Sequence, residues 1–494
     1  MPNIRLATQG VDQLEVDLLA VPVYKDGAAG AGADVVAKKL GIKLKDLLDQ
    51  SRFKGDFGEA LTVPTYGKLP SKQVLFVGLG DKAEVKAREI RRAGALVARR
   101  AGAAKSVGTT IPQAGKGNAD ELCSAFAEGV FLGSYRFDRY KASSNGDKPK
   151  SSVDHIEIIA AKGWDAKRVS KSVDRAKVIA DATSLARDLT NTPALDKSPQ
   201  SLADEARRIA KGTSITIKVL DEKQLEAGGF GGLIGVGRGS RKPPRLIEMT
   251  YKPAGAKKHI ALIGKGITFD SGGLDIKTQG MDWMKTDMAG AGVVLGTMQA
   301  IAALKPKVAV TGIITTAENM PGGNALHPGD VITIRGGKTV EVGNTDAEGR
   351  LVMSDGIVYA KEKKADLIID IATLTGACMV ALGSKMFGVF SNNDRLATDL
   401  ISAASRAGEM AWHLPLNKEY RKDIDSDIAD LKNIGGRYGG AITAALFLAE
   451  FAGETDWAHL DIAGPARSES DDYEVPKGST GVGVRTLVDW LTSQ

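Results

Sequence analysis

The sequence predicts an α/β protein of two domains, a smaller N-terminal α/β domain and a larger C-terminal α/β domain in which a mixed central sheet is flanked by helices. Three observations carry this. A chain of 494 residues exceeds what one hydrophobic core organises, because cores stop growing near ~250–300 residues. Short β-branched runs alternate with helical stretches in both halves, the pattern of strand–helix–strand units. The composition, 43% hydrophobic and 26% charged, is that of an ordinary globular chain and excludes disordered, collagenous and membrane-embedded classes.

In the first third, residues 16–23, 73–77 and 156–160 read as strands, with helices expected over 83–101 and 120–131; the alternation suggests a parallel α/β unit. Gly78-Leu79-Gly80-Asp81-Lys82-Ala83 loosely matches a dinucleotide fingerprint, but without a further glycine-rich loop it reads as a tight strand-to-helix turn. The polar stretch 143–152 (SSNGDKPKSS) is the most linker-like segment. A long charged helix follows from Asp165 and stops before Asn191-Thr192-Pro193, where proline disfavours helix in the preceding residue. The expected organisation is therefore an N-terminal domain over 1–165, a linking helix over 166–190 and a second domain over 191–494. In that second domain, 260–263, 308–315, 367–371 and 457–462 read as strands and 291–304 as a helix. Glycine-rich stretches at 228–239 and 435–440 suit sharp turns or close backbone approach to a ligand.

No stretch reaches the ~18 apolar residues of a membrane span, and the N-terminal residues lack the apolar core of a signal peptide. The two cysteines, Cys123 and Cys378, have no CxxC neighbour. A cytoplasmic protein is expected. The net charge of +6 is mild for this length and reads as a solvated surface.

HExxH and GxSxG are absent and the five histidines are scattered. Gly337-Lys338-Thr339 is not a Walker A loop, because Ile332 stands where its first glycine belongs. What stands out is a set of acids beside glycines: Asp270 within 265–273 (KGITFDSGG), then Asp287, then Asp346 and Glu348 in 344–350 (NTDAEGR). Lys265 and Asp270 lie just past the expected strand 260–263, where open α/β sheets bind ligands. Were 346–350 extended, Asp346, Glu348 and Arg350 would share one face. Converging acids repel unless a cation lies between them, and a pair of divalent ions is the economical candidate. Lys265 must be neutral to act as a ligand, which a nearby dication favours.

The octapeptide NTDAEGRL at 344–351 resembles the signature of the leucyl aminopeptidase family, the cytosolic dinuclear metallopeptidases, and the resemblance continues through GKGITFDSGGLDIK (264–277), MDWMKTDMAGA (281–291) and ATLTGA (372–377). It implies that Asp270 and Glu348 bridge two metals, that Lys265 and Asp287 complete one site, and that Asp346 completes the other. It implies catalytic roles for Lys277 and Arg350, the latter holding a bicarbonate ion as general base, and a pocket for the first side chain made by Met284, Asn344, Thr373 and Gly376. The segment between Lys277 and Asp287 is one residue shorter than the family's usual spacing. Peptides with a free N-terminus, preferably leucine-like, are the implied substrates, and a homohexamer the implied assembly. An oxygen-rich ligand set with one nitrogen suits manganese, zinc or magnesium alike.

Two rival readings stand beside this one. Residues 82–105 carry Lys82, Lys86, Arg88, Arg91, Arg92, Arg99, Arg100 and Lys105 against Asp81, Glu84 and Glu89, a pattern that serves DNA binding as well as a solvated helix. Two-metal carboxylate sites also serve phosphoesterases.

Overall fold

The computed structural model describes residues 1–111, 119–142, 153–161 and 164–494, so the polar stretch 143–152 lies outside the described residues. The chain divides into two compact units: Met1–Ala180 with Ser470–Pro476, and Asp181–Glu469 with Lys477–Gln494. The helix Ala166–Asn191 runs across the division at 180/181.

In the first unit, β1 (Asn3–Ala7), β2 (Leu18–Val23), β3 (Ala60–Pro64), β4 (Gln73–Gly78), β5 (Ser106–Thr110) and β6 (His155–Ile159) form one sheet in the order β1-β6-β5-β2-β4-β3. Neighbours are parallel except β3, which pairs antiparallel with β4 at the edge. The fully buried run LLAVPV of β2 shows why: a strand apolar on both faces needs cover on both. Leu18 and Ala20 join the core under the helices Ala87–Arg100 and Ala119–Gly133, while Leu19 and Val21 join a second core under Ala33–Leu40 and Leu44–Gln50. The glycine pair after β4 is a tight turn. A Cβ on Gly78 would come within 2.2 Å of the Asp56 carbonyl oxygen, and Gly80 has φ +72°.

Three of the basic residues on the helix Ala87–Arg100 are used inside this unit. Buried Arg91 pairs with buried Glu128 at 2.8 Å, the Arg92 guanidinium lies 5.1 Å above the Tyr473 ring, and Arg99 pairs with Asp471 at 2.8 Å. They are withdrawn from any solvent-facing basic stripe.

The strands of the second unit are β7 (Ile215–Leu220), β8 (Arg245–Tyr251), β9 (His259–Asp270), β10 (Ala309–Asn319), β11 (Val331–Thr333), β12 (Thr339–Glu341), β13 (Leu367–Ala372), β14 (Met386–Ser391), β15 (Met410–His413), β16 (Leu431–Lys432), β17 (Asp456–Asp461), β18 (Arg467–Ser468) and β19 (Gly478–Ser479). Eight of them make a mixed sheet in the order β15-β14-β17-β13-β9-β10-β8-β7, parallel through its centre and antiparallel where β8 meets β10 and β7 and where β14 meets β17. The expected mixed sheet flanked by helices is what forms. Smaller sheets join β11-β12-β16 and β18-β19.

Strand β9 is longer than the expected 260–263, running twelve residues to Asp270. Gly264, within it, is a spacer. A Cβ on Gly264 would meet the Gly290 carbonyl oxygen at 2.7 Å, and one on Gly290 would meet the Ile371 oxygen at 2.1 Å. The helix Ala289–Leu304 therefore lies almost backbone to backbone on β9 and β13. Among the described residues, Met281–Leu304 is the one stretch long and apolar enough to cross a membrane, and most of it is this buried core helix. On the other face, the helix Glu348–Glu362 packs Leu351 and Ile357 over Ala261, Ile263 and Ile313.

Candidate functional site

The carboxyl ends of β9, β10 and β13, together with the start of the helix Glu348–Glu362, bring the acids together. Asp270 is the last residue of β9. Its Oδ1 accepts from Asn319 Nδ2 at 2.8 Å and from the Gly272 N–H at 2.9 Å. Asp287 follows the 3-10 helix Met281–Thr286, whose Met284 carbonyl accepts the Asp287 N–H. Its Oδ1 accepts from Thr373 Oγ1 at 2.8 Å. Glu348 opens its helix, with Ala347 as the N-cap. The segment 346–350 is thus a turn entering a helix, which corrects the extended reading. Asp346 and Glu348 are therefore not strand neighbours: Glu348 meets Lys265 and Asp346 meets Lys277, both lysines coming from β9 and the loop that follows it.

Two ammonium groups tie the set together. Lys265 lies inside β9 rather than past its end, and its Nζ contacts Asp287 Oδ2 at 2.7 Å, Glu348 Oε1 at 2.8 Å and the Thr373 carbonyl oxygen at 3.1 Å. Lys277 Nζ contacts Asp270 Oδ2 at 2.8 Å and Asp346 Oδ1 at 2.5 Å. Asp270, Asp287 and Glu348 each present an oxygen within 4.8 Å of one another, the one such cluster among the described residues. Asp346 falls outside that trio and joins it through Lys277. Gly349 keeps the arrangement open, since a Cβ there would lie 2.6 Å from Lys265 Cε and 2.7 Å from its Nζ.

Lys265, Asp270, Asp287 and Glu348 are all at most 5% exposed, so the charges act in a low dielectric. Burial pushes Asp287 well up, with Glu348 and Asp270 adding to it against Lys265. Burial and Asp270 likewise raise Asp346 to about 6. Burial acts against the charge on both lysines, but the carboxylates around them outweigh it and hold both above the ordinary lysine value.

Four carboxylates facing two ammonium groups leave surplus buried negative charge, which is costly without further cations. Asp287 Oδ2, Asp346 Oδ1 and Glu348 Oε1 are buried and receive no well-directed hydrogen bond. Each meets only a lysine ammonium, outside hydrogen-bond geometry, and buried carboxylate oxygens left with spare lone pairs in this way suit divalent cations. Arg350, in the first turn of its helix, donates Nη1 to the Asn433 carbonyl at 2.8 Å. Burial lowers its pKa to about 10, and its Nε is a buried donor without an acceptor. That orphan fits a small planar anion such as bicarbonate.

The four expected pocket residues divide in use. Thr373 and Asn344 spend their side chains on the protein, the first on Asp287 and the second accepting the Asp346 N–H at 2.7 Å. Met284 is half-buried on the 3-10 helix, and Gly376 is exposed with open space where a Cβ would stand.

Sequence reasoning missed the residues that hold the acids in place. Asn319 ends β10 and bridges Asp270 to the Thr345 carbonyl at 3.1 Å. Asp275 accepts the Thr345 N–H at 2.7 Å. Asp461 ends β17 and accepts Thr375 Oγ1 at 2.7 Å. Asn319 and Asp461 both sit at carboxyl ends of strands, the one signal that could have found them.

Comparison with known proteins points the same way. Residues 184–488 match the model of the cytosol aminopeptidase family, catalytic domain, and residues 20–144 that of its N-terminal domain. A probable cytosol aminopeptidase of Aquifex aeolicus is 46% identical over 454 residues, 91% of this chain and 90% of that one. Among solved structures, a tomato leucine aminopeptidase mutant superposes with a TM-score of 0.89 at 33% identity, covering 100% of this chain and 97% of its own. The bottromycin maturation enzyme BotP in complex with Mn does so with a TM-score of 0.86 at 36% identity, covering 97% and 99%.

Proposed function

The chain belongs to the cytosol aminopeptidase family of metal-dependent peptidases, and from that premise we propose that it releases single N-terminal residues, leucine-like ones foremost, from peptides with a free amino terminus, in the course of peptide turnover. The observation that carries this reading is the buried trio Asp270, Asp287 and Glu348, each presenting an oxygen within 4.8 Å of the others. Two divalent cations would be held by Asp270 and Glu348 in common, with Lys265 and Asp287 serving one position and Asp346 the other. Manganese, zinc and magnesium all suit these donors, and the Mn complex of BotP favours the first. When bound, such a pair supplies Lewis acidity and lowers the pKa of a water from 15.7 to about 7.

The remaining work falls to side chains. Lys277, kept protonated by its carboxylate neighbours, donates to the scissile carbonyl oxygen as that oxygen gains charge, a role whose loss typically costs ~10²–10³ in rate. Arg350, with its unpartnered Nε, would hold a bicarbonate ion, which would supply a general base beside the scissile bond. Met284 lines the pocket for the first side chain with Asn344, Thr373 and Gly376, its unbranched thioether adapting to apolar groups of varied shape.

The test is hydrolysis of leucine p-nitroanilide after chelation and re-addition of manganese, beside a chromogenic phosphate ester. Wild type should recover activity on the aminoacyl substrate alone. Glu348→Ala should stay more than ~10²-fold down, since losing even an outer-shell partner costs ~10–100-fold. Recovery on the phosphate ester alone would overturn the reading.

We further assign the chain to the cytoplasm, the compartment in its relatives' names, as a homohexamer. The resemblance supplies the number six. Trp412, Val380, Tyr438 and Ile428, each more than 60% exposed on the second unit, are apolar side chains that such an assembly could cover. A single monomeric species by sedimentation at micromolar concentration would count against it.

A further inference from the structure

One buried residue outside the acid set reaches along the whole segment that supplies Asn344, Asp346, Glu348 and Arg350. Asn433 follows β16, whose parallel pairing with β12 sets the Asn433 N–H 3.0 Å from the Glu341 carbonyl oxygen. Its side-chain Oδ1 accepts from the N–H groups of Gly343 at 2.8 Å and Asn344 at 3.2 Å. Its Nδ2 donates to the carbonyl oxygens of Asn344 at 2.7 Å and Ala347 at 3.2 Å. Its own carbonyl accepts Arg350 Nη1 at 2.8 Å. The residue is 0% exposed, and every hydrogen-bonding position of its amide is filled by loop backbone.

We propose that Asn433 is a positioning residue of the active site: one rigid amide sets the loop 343–347 against Arg350, and so holds the pocket, Asp346 and the anion-gripping guanidinium in a single register. The coupling to Asp346 runs through Asn344, whose Oδ1 accepts the Asp346 N–H at 2.7 Å. Only asparagine suits the place. Aspartate would put an acceptor oxygen where Nδ2 now donates to the Asn344 and Ala347 carbonyls, a hydrophobic residue would leave two N–H and two C=O groups buried and unpaired, and glutamine is one methylene too long. What the positioned groups do rests on the aminopeptidase reading above; that Asn433 positions them does not.

The test compares Asn433→Asp and Asn433→Ser with wild type and with Leu400→Ala, a core truncation in the helix Asp394–Ala407 that takes no part in the loop. Turnover of leucine p-nitroanilide and manganese affinity, by isothermal titration of the chelated protein, are read alongside the melting temperature. The Asn433 variants should lose about 10²-fold in kcat, the cost of a misplacement near 1 Å, and about tenfold in manganese affinity. Leu400→Ala should lose melting temperature but keep both. If a folded Asn433 variant keeps kcat and manganese affinity within threefold of wild type, or if Leu400→Ala loses them equally, the proposal is overturned. Should Asn433→Asp not fold, Asn433→Ser carries the comparison. Manganese affinity is read whether or not the chain cleaves any peptide, so failure of the aminopeptidase reading stays distinct from failure of this one.

Discussion

Gly349 shows how a single residue can be chosen by a neighbour far away in sequence. It stands in the first turn of a helix, where alanine is normally preferred by up to ~1 kcal/mol. A Cβ there would sit 2.6 Å from Lys265 Cε and 2.9 Å from its Cδ, so the lysine, not the helix, selects glycine. Gly349→Ala should therefore push the Lys265 side chain away from Asp287 and Glu348 while leaving the fold intact. We expect manganese affinity and kcat to fall more than tenfold with a loss of about 1–3 kcal/mol in stability; wild-type kcat in this variant would show that Lys265 is not held where the structure has it. At this scale the sequence was legible where chemistry sits on a short motif, as in 344–350. It was silent where a residue works through backbone contacts. Asn433, Asn319 and Asp275 lie 89, 49 and 70 residues from the groups they hold, and no local spacing marks them.

Among the elements, the 3-10 helix Met281–Thr286 is anchored by a lysine that comes from elsewhere. Lys197 Nζ donates to the carbonyl oxygens of Leu189 at 3.1 Å, near the end of the helix Ala166–Asn191, and of Lys285 at 2.6 Å. It is 2% exposed. Burial pulls its pKa down to about 7, with Lys285 adding to the effect and Asp287 opposing it. The folded chain then releases this proton near pH 7, whereas the unfolded chain keeps it towards the ordinary lysine value of 10.5. Between those limits the unfolded state binds more protons, so this group's contribution to stability rises with pH and its penalty is full below about 7. Urea midpoints at pH 6.5 and 9.5 should show wild type gaining on Lys197→Met as pH rises; a gap independent of pH would mean the ammonium is not destabilised. Element boundaries were legible where apolar runs are uninterrupted, as in β2. They failed at β9, where the apolar run 260–263 marks only part of a strand that continues to Asp270, and Gly264 within it makes room for the Ala289–Leu304 helix. They failed again at Glu348, because Ala347 is an N-cap without a side-chain acceptor and nothing in the sequence announces the helix.

Across the whole molecule the chain crosses between the two units three times, at 180/181, 469/470 and 476/477. The short return Ser470–Pro476 belongs to the first unit although both its flanks belong to the second. It is held there by Tyr473, whose ring meets Phe57 at 5.3 Å and lies under Arg92, and by the pair Arg99–Asp471. Gly58, at φ +88°, leaves the space that the tyrosine hydroxyl fills, since a Cβ there would stand 2.3 Å from it. No reading of the first 165 residues could have supplied this piece, which is why a split by sequence order describes the units incompletely. Tyr473→Ala removes a partly buried aromatic and should cost the first unit about 1–3 kcal/mol. Amide exchange is the measurement that separates the units. Exchange should quicken along 87–100 and near Phe57 while β9 and β10 keep their protection. Equal quickening in both would mean that the units unfold as one cooperative body, and the return segment would then matter to the acid site as much as to the sheet it packs on.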